Sequence, residues 1–395
     1  MSSTPHRATQ CLAALLTLVS YSSAASADSW SGGEGVAPYP QGTDELRLIS
    51  EEVVFKESRV TPAEAKKWSE QGTYWHITAT YVLENTNKSE RVKATLALPD
   101  AHCDTFEFCD TLGGGSNTFQ DLELDVGGKE RVSLSKTTLP KDNPWEIEEG
   151  DLYTHQITLK PGERITVTYR YKIDKSGAVD GEEYVTYWHL RETPWKGEVE
   201  QSRITLLLEE RPWGVVFKKG LGFKSFETNK QGTKTTITFE RRGAAKGMSA
   251  SLTLGSDAVV KMAGCPIGVG HVQEFYDASG KMLQEDALRR NLGDLDEERL
   301  RKCRNVVYAA QGYTFKDKKL QDFFYQYAKP TPLDKIAPDF WGHMDRFNEE
   351  DRSSYEAIIF VPDTQYSTGR LKKRHTQWVK AIKVLEEELK KKKSK

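Results

Sequence analysis

The residue types best suited to chemistry lie together in one short stretch, YVTYWHLRETPWKG, at positions 184–197. Aromatic rings there could stack on sugar rings, while the neighbouring carboxylate, guanidinium and imidazole groups could hydrogen-bond to sugar hydroxyls. The candidate ligand-binding residues of this stretch are Tyr187, Trp188, His189, Arg191, Glu192 and Trp195. The alternative interpretation is that the tryptophans pack in the core or at a sheet edge and that the charged side chains are solvated.

The sequence contains no recognisable catalytic signature. The zinc-protease pattern H-E-x-x-H, the G-x-S-x-G elbow and the P-loop are all missing. Ser133 and Lys136 fit the S-x-x-K pattern, but they lie in a strand-like run and the partner motifs S-D-N and K-T-G are missing. We therefore assign no catalytic residue, and the sequence favours a protein that is not an enzyme.

Cysteine usage predicts disulfides. Of the five cysteines, Cys11 lies in an N-terminal leader, and the others are Cys103, Cys109, Cys265 and Cys303. An even number of cysteines in an exported chain is typical of disulfide pairing, and proximity in sequence favours Cys103–Cys109 and Cys265–Cys303. The alternative is a zinc site that adds His102 and His271. Because no C-x-x-C pair is present, we predict neither a metal nor a cofactor.

The N-terminal residues predict export. A short basic region with His6 and Arg7 precedes the apolar run Cys11–Val19, and Ala25-Ser26-Ala27 supplies the small residues of a cleavage site. A transmembrane anchor is the alternative, but the run is well short of the roughly 20 apolar residues that span a bilayer. We expect a secreted or periplasmic protein with no transmembrane segment after cleavage.

The central part of the chain has the period-two pattern of half-buried strands. Apolar residues alternate with polar ones at 75–83, at 92–98 and at 165–173, with turn residues between the runs. The first two runs predict a hairpin around NTNKSE, and Gly127-Gly128 predicts a tighter one. Thr61–Gln71 predicts a short helix. Residues 28–43 are rich in Gly, Ser and Pro and predict an exposed lead-in.

Beyond about residue 262 the hydrophobic period becomes helical. Asp294 or Asp296 can cap a helix whose first turn is acidic, and Gly312 fits the position just past its end. Asp317 can cap a second helix. A terminal helix carries the apolar stripe Trp378, Ile382, Leu385 and Leu389 and ends in KKKKSK. That lysine run can offset the helix dipole or bind an anionic surface.

The stretch LRKCRNVVYAAQGYTFKDKKLQDFF, with Trp341 and DRFNEEDR after it, resembles the YARHG domain, a small domain of exported bacterial proteins. The resemblance covers about 284–352. Positions that match the family motif are Tyr308, Ala309, Gly312 and Phe315, with Leu320 and Asn348 as further matches. Ala310 and Gln311 replace the family's Arg and His. The resemblance implies no catalytic activity.

The region from about 46 to 254 resembles a β-rich N-terminal domain of bacterial secreted proteins, through LISEEVVF, YVLENTNKSE, LKPGERITVTYRY and the W-x-G segment at 195–197. The predicted organisation is a signal peptide at 1–27, a lead-in at 28–43, a β-sandwich domain at 44–262, a YARHG-like helical domain at 263–352, and an extension with a basic-ended helix at 353–395.

The predicted fold class is α+β: an antiparallel β-sandwich in the N-terminal region, followed by a small, mainly helical C-terminal domain and a terminal helix. Charge is nearly balanced, with 56 Lys+Arg against 58 Asp+Glu, so nucleic acid is not an expected partner. The favoured function is a non-catalytic envelope or extracellular binding module, whose partner is a polysaccharide, the cell wall or an envelope protein. A hydrolase acting on cell-wall or extracellular polymer and a structural or assembly protein are the alternatives.

Overall fold

The structure is a computed structural model. It describes residues 29–30, 34–59, 73–101, 119–141, 150–174, 176–178, 183–188, 195–209, 215–218, 222–228, 234–241, 249–253, 265, 285–325, 355–360, 362–363, 366–371 and 373–394. The signal peptide, the helix at Thr61–Gln71 and the pair Cys103–Cys109 were predicted for residues outside these ranges.

Eighteen strands and four α-helices make up the described part. The strands are β1 (Ser29–Trp30), β2 (Glu34–Val36), β3 (Tyr39–Gln41), β4 (Leu46–Arg59), β5 (Thr73–Asn85), β6 (Val92–Ala101), β7 (Gln120–Val126), β8 (Ser135–Thr138), β9 (Gly150–Leu159), β10 (Arg164–Asp174), β11 (Ser176–Ala178), β12 (Glu183–Trp188), β13 (Gln201–Leu208), β14 (Val215–Lys218), β15 (Gly222–Thr228), β16 (Thr235–Arg241), β17 (Ser249–Thr253) and β18 (Tyr355–Ile359). The helices are α1 (Glu285–Leu292), α2 (Glu297–Ala310), α3 (Lys318–Tyr325), a 3-10 helix (Thr368–Arg370) and α4 (Lys373–Lys393).

The strands form three sheets. A central sheet has the order β15-β16-β13-β4-β5-β10-β7, a small sheet has the order β3-β6-β9-β8, and an outer sheet has the order β1-β11-β12-β17-β14-β18 with β2 beside β12. Most pairs are antiparallel, whereas β13 with β4 and β12 with β2 are parallel. One core cluster joins Phe55 of the central sheet, Leu96 of the small sheet and Tyr187 of the outer sheet, so the sheets pack face to face.

The alternation predicted for the strands is confirmed along β5. Trp75, Ile77 and Ala79 are buried while His76 and Thr78 between them are partly exposed, because successive side chains of a strand point to opposite faces. The lead-in is less exposed than its composition predicts. It contributes the short strands β1 to β3, and Ala37 between two of them belongs to the main core.

The hairpin predicted around NTNKSE is wrong. β5 pairs with β4 and β10 in the central sheet, whereas β6 pairs with β3 and β9 in the small sheet. The connection at 86–91 therefore crosses from one layer of the sandwich to the other. The turn at Pro161-Gly162 makes the reverse crossing, because β9 lies in the small sheet and β10 in the central sheet.

Asn85 ties the two crossings together. Its side chain is fully buried, and its amide nitrogen donates to the carbonyl oxygens of Glu90 at 3.0 Å and Lys160 at 2.9 Å. Its amide oxygen accepts the Asn87 backbone N–H at 2.9 Å. The Gly162 N–H completes the junction by donating to the Asn87 carbonyl at 3.0 Å. A single buried polar side chain thus hydrogen-bonds to backbone groups of both crossings.

The glycine pair at 127–128 gives a tight turn, as predicted. The two arms of this turn pair over only a short length. Val126 and Lys129 form an isolated bridge across it, and the Val132 N–H donates to the Leu124 carbonyl at 2.8 Å. The chain then leaves the central sheet, since β8 pairs with β9 in the small sheet.

Helix α2 begins and ends as the sequence predicts. Asp296 is its N-cap, with the side chain accepting the Arg299 N–H at 2.7 Å. At the other end Gly312 has φ of 86°, a conformation that residues with a side chain adopt at a cost. The Gly312 N–H donates to the Ala309 carbonyl and the Tyr313 N–H to the Tyr308 carbonyl, both at 2.9 Å. This pattern is a Schellman motif.

The helices share a second core with the chain terminus. Cys265 and Cys303 form the predicted disulfide, with Cα atoms 5.5 Å apart. Trp378 of α4 is fully buried against α2, and its indole N–H donates to the Cys303 carbonyl at 2.6 Å. Further members of this core from α4 are Ala381, Ile382 and Leu385. The terminal helix therefore packs on the helical segment instead of projecting from it.

Taken together, the described elements confirm the predicted α+β class: sandwich-like sheets in the N-terminal region, a small helical part and a terminal helix. The outer sheet nevertheless draws on both ends of the chain. Its edge strand β18 follows the helical segment in sequence and pairs antiparallel with β14.

Candidate functional site

The predicted aromatic cluster is only partly described, and its two described side chains belong to the core. Tyr187 is 1% exposed, shares a hydrogen bond with the Tyr81 hydroxyl, and meets the Phe55 ring edge to face at 6.3 Å. Trp195 is 7% exposed in the same core. The side chains of Trp188, His189, Arg191 and Glu192 lie outside the described part, so a ligand-binding role for them stays a prediction.

A group of buried tyrosines fills the sandwich interior beside a buried carboxylate. Tyr81, Tyr169 and Tyr187 are buried, and Glu51, at 2% exposure, accepts a hydrogen bond from the Ser202 hydroxyl. Burial raises the pKa of Tyr81 and of Tyr187 well above the usual value, because the interior disfavours a phenolate. These hydroxyls therefore remain protonated and act as hydrogen-bonding groups inside the core.

The strongest candidate site is a cluster of four residues at one end of the small sheet, which we call the Asp100 corner: Asp100 on β6, Lys136 on β8, and Asp151 and Tyr153 on β9. Asp100 stands opposite Asp151, and Lys136 stands opposite Tyr153. Residues directly opposite each other on paired strands share a face of the sheet. The register therefore brings the four side chains to one face, the face that packs on the core.

Asp100 is the buried member of the corner. Its side chain has no exposed surface, and one carboxyl oxygen, Oδ2, accepts the Phe119 N–H at 3.0 Å. The other oxygen, Oδ1, has no hydrogen-bond partner among the described residues. Phe119 immediately precedes β7, and its ring packs on the Tyr153 ring with centroids 6.2 Å apart. Asp100 thus anchors the beginning of a central-sheet strand to the small sheet.

The other three residues of the Asp100 corner are exposed or partly exposed. Lys136 Nζ lies 2.6 Å from an Asp151 carboxyl oxygen and 5.4 Å from the centroid of the Tyr153 ring. The Lys136 side chain is 52% exposed, whereas that of Asp151 is 16% exposed. All four residues of β8, which is the edge strand here, are exposed. A solute can therefore reach the lysine–carboxylate pair from the side of the sheet.

The environment of the Asp100 corner raises the pKa values of Asp100 and Lys136 for different reasons. Burial raises the pKa of Asp100 to about 7, and the negative charge of Asp151 adds to this, whereas the Phe119 N–H and Lys136 lower it. The hydrogen bond to Asp151 raises the pKa of Lys136. Lys136 is thus engaged with Asp151, which disfavours the role of base that an S-x-x-K mechanism would give it.

Stability should fall by about 2 kcal/mol between roughly pH 5.5 and 7.5 because of Asp100. Its carboxyl ionises at about 3.9 in an unfolded chain and at about 7 in the folded protein. Because the folded pKa is the higher one, this contribution is complete below about pH 4 and is lost as the pH rises through about 7. Urea unfolding across this range should show the fall for the wild type and its loss in Asp100→Asn. Parallel pH curves for the two proteins would contradict the assignment.

The motif positions of the helical segment lie in its core. Ala309 and Ala310 are buried, and the Gln311 side chain is only 9% exposed. Where the family carries Arg and His, this chain therefore offers no charged group. A cation beside this turn is that of Arg370, whose Nη1 lies 3.4 Å from the Gln311 carbonyl and pairs with Asp363 at 2.6 Å. Ala309, Ala310 and Gln311 of the motif thus pack in the helical core.

Neither metal nor membrane features emerge from the described part of the chain. Within those residues, no group of three or more His, Cys, Asp or Glu side chains is arranged to hold a metal ion. Among the same residues, no helix has the length and apolar character needed to cross a membrane.

Comparison with protein families identifies one domain. Residues 276–358 match the model of the YARHG domain. This confirms the resemblance seen at about 284–352 and extends it through most of β18. The match covers less than half of the chain, so it identifies a domain within the protein and not the whole. Among curated proteins, no relative matches the chain.

Two solved structures illustrate the similarities found. A proposed nutrient binding protein from Legionella pneumophila has 17% sequence identity and a TM-score of 0.48, covering 91% of this chain and 99% of that one. An M1 zinc metallopeptidase mutant from Deinococcus radiodurans has 14% identity and a TM-score of 0.29, covering 53% of this chain and 42% of that one. With TM-scores below 0.5, neither likeness carries an inference about fold or function.

Proposed function

We propose that the protein is an exported binding module and that its ligand contacts the Asp100 corner. One observation carries the proposal: the fully buried carboxyl of Asp100 has an oxygen with no partner in the described chain, next to a solvent-accessible Lys136–Asp151 pair. Leaving a buried acceptor unsatisfied costs about 1–3 kcal/mol. Because that oxygen has no exposed surface, the ligand would contact the accessible Lys136–Asp151 pair, and the buried Asp100 carboxyl would act on this pair electrostatically.

The chemistry of the corner suits a hydroxyl-rich ligand. A carboxylate accepts hydrogen bonds from hydroxyls, a lysine donates to ring or carboxylate oxygens, and a tyrosine ring offers an apolar face. These groups together favour a polysaccharide or cell-wall polymer over an apolar ligand. The YARHG match supports export, since the domain occurs in exported bacterial proteins.

Retention on insoluble cell-wall polymer and affinity electrophoresis through polysaccharide gels would test the proposal. We expect Asp151→Asn and Lys136→Met each to weaken retention about tenfold, the equivalent of about 1.4 kcal/mol. Lys160→Met is the matched control, because Lys160 is an exposed lysine at the far end of the same sheet. Equal retention of all four proteins would remove the corner as the binding site.

A hydrolase is the second candidate, and a specific observation favours it. The Asp100 carboxyl, whose pKa burial raises to about 7, stands opposite the carboxyl group of Asp151, and glycoside hydrolysis uses a pair of carboxyl groups, one of them with a raised pKa. The same polymers, incubated with the wild type, would then release reducing ends, and Asp100→Asn and Asp151→Asn would abolish the release. Binding without any release would leave the module non-catalytic.

A further inference from the structure

The terminal helix α4 has one face that packs in the core and one face that is exposed to solvent. Its apolar side packs into the helical core through Trp378, Ile382 and Leu385. On the opposite side lie four exposed lysines, Lys380, Lys383, Lys390 and Lys391. At 100° per residue these four positions fall within about 100° of each other around the helix axis, and they span roughly 16 Å along it. We call this set the basic stripe.

The acidic residues of the same helix do not neutralise the basic stripe. Glu386 pairs with Arg304 and Glu388 pairs with Arg289, so both carboxylates are turned toward neighbouring helices. Glu387 is exposed between the stripe lysines and offsets one of their four charges. None of the four lysines forms a salt bridge within the described part of the chain, although Lys390 acts electrostatically on Glu297 and Lys391 on Glu388. The stripe therefore carries a net positive charge on a protein that is nearly neutral as a whole.

The helix dipole does not account for the whole stripe. Cations near a helix C-terminus are stabilising only within about the last turn. Lys390 and Lys391 satisfy that condition, but Lys380 and Lys383 lie in the middle of α4, several turns from Lys393. Long exposed lysines in mid-helix contribute little to stability. Their placement on one line with the terminal lysines indicates a surface that meets negative charge.

We propose that the basic stripe adsorbs to a membrane surface rich in anionic lipid. Lysine ammonium groups attract anionic headgroups without requiring a fixed geometry, and several of them on one line meet a flat surface together. The apolar face of α4 is occupied by the protein core, so the contact is electrostatic and reversible and involves no insertion. A single-stranded nucleic acid is the poorer fit, since α4 offers no exposed aromatic ring on which bases could stack.

Vesicle co-sedimentation of the full chain tests the proposal. Vesicles in which about a third of the lipid is phosphatidylglycerol should retain the protein, whereas phosphatidylcholine vesicles should not. Each stripe lysine is expected to contribute about a fivefold gain in partition, so the triple variant Lys380→Gln, Lys383→Gln and Lys391→Gln should bind about 100-fold more weakly. Raising the salt from about 0.1 M to about 1 M should release the wild type, because the Debye length falls from about 10 Å to about 3 Å.

A charge-matched control separates the stripe from net charge. The triple variant Lys93→Gln, Lys129→Gln and Lys160→Gln removes three exposed lysines from the β-sandwich and should bind anionic vesicles as the wild type does. Equal loss in both triple variants would overturn the assignment to α4. Equal binding to both kinds of vesicle would overturn the electrostatic basis. If the protein binds a soluble polyanion but no vesicles, the membrane proposal is wrong and the partner of the basic stripe is an acidic polymer. Circular dichroism of each variant would confirm that it is folded.

Discussion

Replacing Asn85 with leucine is expected to lower the free energy of unfolding by about 4 kcal/mol. The change keeps the number and branching of the side-chain heavy atoms but removes the two shortest hydrogen bonds from the amide nitrogen, to the carbonyls of Glu90 and Lys160, and the one that the amide oxygen accepts from Asn87. The three lost hydrogen bonds are partly buried and the leucine leaves no polar group in their place, so water can replace the lost partners only in part. Urea unfolding of the wild type and the variant at one pH would measure the difference.

Asn87→Ala is the matched control, because Asn87 lies in the same crossing but is only partly buried. Its side-chain oxygen accepts the N–H groups of Ser89 and Glu90 at 2.9 and 3.0 Å, and water can take over both. We expect a loss below about 1 kcal/mol. A comparable loss in the two variants would mean that Asn85 acts as an ordinary turn residue and does not hold the two crossings together.

Trp378→Ala is expected to cost about 5 kcal/mol in the helical core. The indole is fully buried, and its N–H satisfies the Cys303 carbonyl at 2.6 Å, so the variant loses both packing and a buried hydrogen bond. Hydrogen exchange resolved by peptide would report where stability is lost. Amides of α2 and α4 should exchange much faster, while those of the central sheet, which has a separate core, should change little.

Two further variants separate the loss of the hydrogen bond from the loss of packing and provide a surface control. Trp378→Phe keeps most of the ring but not the donor, and about 2 kcal/mol should be lost. Glu387→Ala, on the exposed side of the same helix, should stay within about 0.5 kcal/mol of the wild type. Protection of α2 that survives Trp378→Ala would show that α4 is not part of this core.

Local signals in the sequence were enough to predict the helix ends and the strand character. Asp296 and Gly312 act through chemistry that involves only their own neighbours, a capping carboxylate and a residue with positive φ, and both predictions are confirmed. Pairing was not predictable in the same way. Period-two alternation tells which face of a strand is buried but not which strand lies beside it, and the turn at 86–91 has residues that suit a hairpin equally well. The burial of Asn85, which gives the crossing its hydrogen bonds, is visible only in the structure.

The candidate site shows the same limit more strongly. Asp100 and Asp151 become neighbours only through the register of β6 with β9, and neither stands in a motif. Sequence instead drew attention to the aromatic stretch at 184–197, because dense aromatics are equally typical of binding faces and of cores. For Tyr187 and Trp195 the core explains the residue type.

The pairing of β18 with β14 has a consequence for the YARHG-like segment as a building block. The segment matched by the family ends at 358, within a strand whose neighbour comes from the β-rich part of the chain. A fragment cut before residue 276 would keep β18 but lose β14, leaving a row of unpaired backbone donors and acceptors open to other chains. The two parts of the protein are therefore interleaved in space, and the segment at 276–358 needs a sheet edge from outside it to receive its last strand.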